Sequence, residues 1–215
     1  RSNLFLIPLD DKRQWYRYHH LFADVLQTHL MEAQPDRVAA LHGRASAWYE
    51  QNGLRTDAIR HALAAKDLPR AAGLIELAWP ATEDGSIHPA TWLGWVKTLP
   101  EEVVRARPVL NVWYAYALLG SGELEAAESR FEDAERWLES ADTLSAGMII
   151  ANPEQFKSLP ATIAVGRAYI AQAFGNISDT VRYASQALDF PDADPFRHSQ
   201  ASMLLRIPAS GLKKE

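Results

Sequence analysis

Hydrophobic and polar positions divide the chain into a short extended opening and a long helical remainder. Asn3-Leu-Phe-Leu-Ile-Pro-Leu-Asp10 and Trp15-Tyr-Arg-Tyr18 read as two strands joined by the polar turn Asp10-Asp11-Lys12-Arg13. A lone two-stranded hairpin is marginal in water. The chain is therefore expected to open in the middle of a domain. After the hairpin, Leu21, Phe22, Val25, Leu26, His29 and Leu30 recur at three- and four-residue steps, which marks one face of an amphipathic helix. Gln34-Pro35-Asp36 breaks that helix, since proline disfavours a helical residue before it and suits a first-turn position. Val38, Leu41, Ala45, Trp48 and Tyr49 form the next stripe, which ends at Asn52-Gly53.

The pattern continues with helices from Thr56 to about Ala65 and from Asp67 to Trp79, the latter with Asp67 as N-cap and Pro69 in the first turn. Residues 81–89 read as a polar loop punctuated by glycine and proline. Short helices follow at Thr91 to Leu99 and after Pro100. A helical hairpin then turns at Gly120-Ser121-Gly122, between Pro108 to Leu119 and Glu123 to Ser140. Residues 141–158 carry the weakest structural signal. A final pair spans about Pro160 to Phe174 and Ser178 to Asp189, and one apolar segment runs from Ala201 to Ile207.

Three turn glycines, Gly53, Gly122 and Gly175, align the chain on itself. Five residues beyond them stand Ala58, Ala127 and Thr180; nine beyond, Ala62, Phe131 and Ala184; twelve beyond, Ala65, Ala134 and Ala187. Seven before them stand Ser46, Ala115 and Ala168. Two antiparallel helices need small residues where their backbones approach and a glycine where the chain reverses. The pattern resembles the tetratricopeptide repeat, and Glu125-Ala-Ala-Glu-Ser-Arg-Phe-Glu-Asp-Ala134 carries it best. The glycines lie 69 and 53 residues apart, against about 34 in a regular array, so further helices are expected between the recognisable pairs. The fold expected is all-α: a right-handed stack of antiparallel helix pairs behind a short N-terminal β-hairpin. Such stacks leave a concave face for binding. By that analogy Val112, Tyr116, Leu119, Val165, Tyr169 and Gln172 form a candidate effector or partner groove.

Composition changes this picture little. Of 215 residues, 47% are apolar, enough for a core, and the formal charge of −5 argues against a nucleic-acid footprint, which needs a basic face. No apolar run approaches the 20 or so residues that span a bilayer, and no signal peptide is evident. Cysteine is absent, which excludes disulfides and thiolate metal sites and fits a cytoplasmic location. The seven histidines show no zinc-binding spacing; His19 and His20, as neighbours in an extended segment, are expected to face opposite ways, one of them capping the following helix or joining a domain contact. There is no Gly-x4-Gly-Lys-Ser/Thr loop and no Gly-x-Ser-x-Gly elbow. Glu123, Glu125, Glu128 and Glu132 are expected to be solvated surface. The seven tryptophans are expected mainly in the interior.

Residues 3–10 followed by Trp15-Tyr-Arg-Tyr-His-His-Leu-Phe22 resemble the end of the winged-helix region in the MalT-type, ATP-dependent LuxR-family transcriptional regulators. Trp48-Tyr with Ala58-Ile-x-His61-Ala62-Leu and Asp67, and later Arg167-Ala-Tyr-Ile-Ala171 with Ala187-Leu188, resemble their helical repeats. The resemblance implies a wing and its helix at residues 1–33, helical repeats at 34–207 and a frayed tail at 208–215. It implies an ATPase domain upstream and a DNA-binding helix-turn-helix downstream. ATP is thus expected only outside this chain, with no catalytic, cofactor or metal residue here. The expected role is a non-catalytic sensor fragment that binds a small-molecule inducer or regulatory protein, takes part in self-association of the full-length protein, and contacts neither nucleic acid nor membrane. Tyr18, His19, His20 and Phe22 are the candidate inter-domain hinge. The alternative is a tetratricopeptide-like peptide-binding scaffold unconnected to transcription.

Overall fold

The computed structural model describes residues 5–139, 147–190 and 195–206. The expected tail at 208–215, the outer end of the first strand and residues 141–146 of the weak 141–158 stretch lie outside the described residues. Two compact units divide between Asp67 and Leu68.

In the first unit, β1 (Leu6–Pro8) pairs antiparallel with β2 (Tyr16–Tyr18), Ile7 opposite Arg17. The carboxylate of Asp10 holds the turn by accepting from the amides of Gln14 and Trp15 at 2.8 and 3.0 Å. The His19 amide donates to the Phe5 carbonyl at 2.8 Å, which extends the pairing to the start of α1 (His20–Ala33). Phe22 packs against Phe5 and Tyr18, with ring centroids 4.5 and 5.4 Å away, and so ties the hairpin to α1. Then come α2 (Pro35–Gln51), with Pro35 in its first turn, and α3 (Arg55–Ala64). These two form the first aligned pair. Ser46 is buried where they approach, and its hydroxyl donates to the Ala58 carbonyl at 2.9 Å.

The second unit begins with α4 (Leu68–Leu77), α5 (Pro80–Glu83), α6 (Pro89–Val96) and α7 (Glu101–Arg105). The turn at α5 falls within the stretch expected to be loop: Pro80 sets the first-turn dihedral and Gly85, at φ 80°, follows its end. Next come α8 (Pro108–Ser121) and α9 (Leu124–Glu139), then the short α10 (Pro153–Lys157), capped by the Asn152 side chain. The last elements are α11 (Leu159–Ala173), α12 (Ile177–Asp189) and α13 (Pro195–Leu205), the last starting six residues before the apolar segment that announced it. Helix α8 packs on α9, α11 on α12, and α11 contacts both members of the preceding pair. Ala164, Val165 and Ala168 of α11 meet Ala184 and Ala187 of α12 and Ala201 and Leu204 of α13 in one buried cluster.

Most repeat positions behave as the alignment requires; at the twelfth positions Ala134 and Ala187 are buried, whereas Ala65 is only half-buried. Gly53, Gly122 and Gly175 have φ of 74°, 82° and 70°, the left-handed region in which a side chain is strained. Ala58, Ala127 and Thr180 are buried, as are Ala62, Phe131 and Ala184, and Ser46, Ala115 and Ala168. The fold is helical throughout, with thirteen helices and one two-stranded hairpin among the described residues.

Tryptophans are not uniformly interior. Trp92 is fully buried and donates from Nε1 to the Ile75 carbonyl at 2.8 Å, whereas Trp48 and Trp15 are exposed and meet edge to face at 5.8 Å. Asn176 caps α12 by accepting from the Asp179 amide at 3.0 Å. Asn176→Ala is expected to lower stability by about 1 kcal/mol, measurable by urea denaturation.

Candidate functional site

Helices α8 and α11 are first members of successive pairs, and their side chains define a groove in the second unit. Tyr116, Leu119 and Gly120 of α8, Leu124 of α9, and Tyr169 and Gln172 of α11 line a depression of about 470 Å³. Four of the six residues chosen from sequence therefore meet in one place. The other two, Val112 and Val165, are fully buried in the helix packing beneath it. They sit one turn before Tyr116 and Tyr169 on the same helix faces, where neighbouring helices cover the surface completely.

The two tyrosines combine packing and lining roles. Tyr116 donates its hydroxyl proton to the Thr162 carbonyl at 2.7 Å, which links α8 to α11. Its ring meets Phe131 edge to face at 5.8 Å and lies near Trp113 and Trp79, which stack on each other at 5.3 Å. Burial raises the Tyr169 phenol above its usual value, with the Arg197 cation acting in the opposite direction. The tyrosine therefore stays neutral at physiological pH and acts as a hydrogen-bonding group rather than an anion.

One end of the groove depends on α13, which spacing could not indicate. Gln200 lines the depression and accepts from Arg197 Nη1 at 2.7 Å. Arg197, itself buried, donates from Nη2 to Glu83 Oε1 at 2.6 Å, and its guanidinium lies 4.7 Å from the Tyr116 ring centroid. Glu83 and Arg197 are 114 residues apart, so only the fold brings them together. The remaining lining residues, Gly120, Leu124 and Ala173, sit beside the turns that the glycines already marked. The lining is neutral, apolar with tyrosine and glutamine, as in sites that fix a ligand by a few placed polar groups.

The carboxylates expected on a solvated face are partly used. Glu128 pairs with Arg167 at 3.3 Å, and burial raises its carboxyl above the ordinary range. The same guanidinium reaches Glu135 at 2.9 Å and so crosses from α11 to α9. Glu123 instead faces solvent beside Lys97. A buried pair lies in the same unit: Glu76 accepts from Arg107 Nη1 at 3.2 Å, and Arg107 Nη2 donates to the Pro69 carbonyl at 3.2 Å.

At the candidate hinge, His19 occupies the N-cap position of α1 but makes no capping hydrogen bond through its side chain. The His19 and His20 rings do not face opposite ways; their centroids lie 4.4 Å apart. The reason is that His20 is already helical, so strand alternation ends one residue earlier. In the first unit His42 and His61 come together with Nδ1 atoms 2.8 Å apart, a pairing no sequence spacing suggested. Among the described residues no group of three or more histidines, aspartates and glutamates could hold a metal ion. No described helix is long and apolar enough to cross a membrane.

Comparison with known proteins gives two kinds of match. Residues 1–38 match the MalT winged helix domain family. A serine/threonine-protein kinase PknK of Mycobacterium tuberculosis is 39% identical over 134 residues, 61% of this chain and 12% of the kinase. The Mycobacterium bovis PknK matches to the same extent. An HTH-type transcriptional regulator MalT of Serratia proteamaculans is 27% identical over 191 residues, 88% of this chain and 20% of the regulator. The chain thus spans between about one eighth and one fifth of the length of these relatives. No solved structure matches it.

Proposed function

We propose, from the match of residues 1–38 to the MalT winged helix domain and the similarity of most of the chain to a MalT regulator, that this chain is a non-catalytic sensor arm of a MalT-type regulator. In this reading its tetratricopeptide-like helices bind an inducer or a regulatory protein in the groove of Tyr116, Leu119, Tyr169, Gln172 and Gln200. The observation that carries the reading is the groove itself, where successive helix pairs bring a neutral, mostly apolar lining together. The relatives support the non-catalytic part. One is named a kinase and another a transcriptional regulator, yet each is similar to a long stretch of this chain. A region common to proteins with different named outputs is better suited to control than to either output.

The hairpin and α1 complete the proposal. Phe22 anchors the hairpin to α1 through Phe5 and Tyr18, so a change at the winged-helix end reaches the helices through an aromatic contact. ATP binding and self-association belong, in this reading, to the longer protein.

Two measurements test it. The purified chain should neither hydrolyse ATP nor transfer phosphate with magnesium present, and turnover that survives repurification would overturn the non-catalytic role. In a thermal-shift screen of metabolites and peptides, compounds that stabilise the wild type should lose their effect on Tyr169→Ala and Gln172→Ala. A ligand at about 100 times its dissociation constant adds roughly 2.7 kcal/mol of stability, well above the detection limit of such a screen. Equal stabilisation of wild type and both variants would contradict the groove.

A further inference from the structure

The first unit holds a separate cavity of about 410 Å³. Its wall is apolar at Leu30 and Met31 of α1 and at Val38 and Leu41 of α2. The polar groups lining it are the Gln27 amide and the imidazoles of His42 and His61. An apolar cavity with a small convergent set of polar groups has the composition of a small-molecule site. The histidine pair specifies the chemistry of what such a site would take.

The two Nδ1 atoms are 2.8 Å apart, so one carries the hydrogen and the other accepts it. Each ring keeps its Nε2 outside that bond. At neutrality one Nε2 is a donor and the other a lone pair. A single proton can add at the lone pair and leave the Nδ1 bond intact. The pair is then a cation with two Nε2–H donors. A second proton has no place without breaking the bond and setting two cations side by side.

We propose that this cavity binds an aliphatic carboxylate, its tail against Leu30, Met31, Val38 and Leu41 and its head on the singly protonated His42–His61 pair. The surroundings set no carboxylate against an anion. On α3, Asp57 is paired with Arg60, and on α2 the Tyr49 ring stacks on His61 at 5.2 Å. Helix α1 adds no charged group to the lining, and no carboxylate lines the cavity. Burial, then His42 and Arg60, holds His61 below its ordinary value, with Asp57 opposing. Burial thus disfavours a charge on His61 while the cavity holds no anion, and a bound carboxylate, supplying the opposite charge, draws a proton in. Affinity rises as pH falls from about 8 to about 6, by at most about tenfold per pH unit for one proton taken up.

The test uses the whole chain with hexanoate and its alcohol counterpart 1-hexanol, followed by NMR of the histidine ring protons. Hexanoate is expected to shift the His42 and His61 signals together and to bind more tightly at about pH 6 than at about pH 8, whereas 1-hexanol binds weakly and without pH dependence. His61→Gln should abolish the pH dependence. Met31→Glu, at an exposed wall position that leaves the fold intact, should abolish hexanoate binding whether or not the histidine variant folds. Equal binding of acid and alcohol, absence of a histidine response, or undiminished binding by Met31→Glu would each overturn the proposal. The groove is a separate site, and Tyr169→Ala should leave hexanoate binding unchanged.

Discussion

Gly166→Ala is expected to destabilise the second unit although alanine is ordinarily the better helix former. In an exposed helix interior the exchange gains about 1 kcal/mol. Here a Cβ at position 166 would stand 2.2 Å from Cζ and 2.7 Å from Cε2 of Phe131. Phe131 is fully buried, so its ring has no open space to enter. Forcing atoms into a filled core costs about 1–3 kcal/mol, and an overlap this deep belongs at the upper end or beyond. The clash therefore outweighs the propensity gain. The displaced ring would press on Tyr116, whose hydroxyl bond to Thr162 helps shape the groove. Urea denaturation should show the loss. Phe131→Leu added to Gly166→Ala should recover much of it, whereas Phe131→Leu alone should destabilise. Additive costs in the double variant would mean that the two residues do not oppose each other.

The second large effect concerns the pair of Glu76 and Arg107. Arg107→Met removes the cation and leaves a carboxylate buried without it, which typically costs about 3–5 kcal/mol. Replacing both, as Glu76→Leu with Arg107→Met, is expected to be near neutral, because the desolvation of two charges disappears with their attraction. The pH dependence follows from the direction of the Glu76 shift. Burial raises its carboxyl above the ordinary value, and the attraction and hydrogen bond of Arg107 oppose this only in part. The folded chain therefore holds a proton there at a pH where the unfolded chain has released it. Stability contributed by this group grows as pH falls through the folded pKa and is lost as pH rises above it. In Arg107→Met the folded pKa rises further. The deficit should be largest at neutral pH and shrink on acidification, and a deficit independent of pH would contradict the assignment.

Both predictions involve residues that the sequence marked unevenly, for reasons that are physical. Turn glycines and small residues at helix crossings obey local rules, so Gly53, Gly122 and Gly175 and the alanines around them were legible before any fold was known. Tyr116, Leu119, Tyr169 and Gln172 were legible as a groove because first helices of successive pairs repeat the same exposure. Val112 and Val165 were misplaced because period gives the face of a helix but not how far along that face the packing closes over it. The glycine at 166 gave no signal, since a close approach depends on Phe131 from another helix. The short α5 and α10 were hidden by Gly and Pro punctuation and by low apolar content. Pairs such as His42 with His61 and Glu83 with Arg197 depend on tertiary approach. Pattern cannot reach them.

In the proposed function, the groove between successive helix pairs is where this chain meets its effector. Hydrogen exchange read by mass spectrometry, with and without any compound or partner that stabilises the chain, tests it most directly. Added protection is expected to concentrate at residues 116–124 and 169–173 and to be lost in Tyr169→Ala. Protection confined to other segments, with these two unchanged, would contradict it.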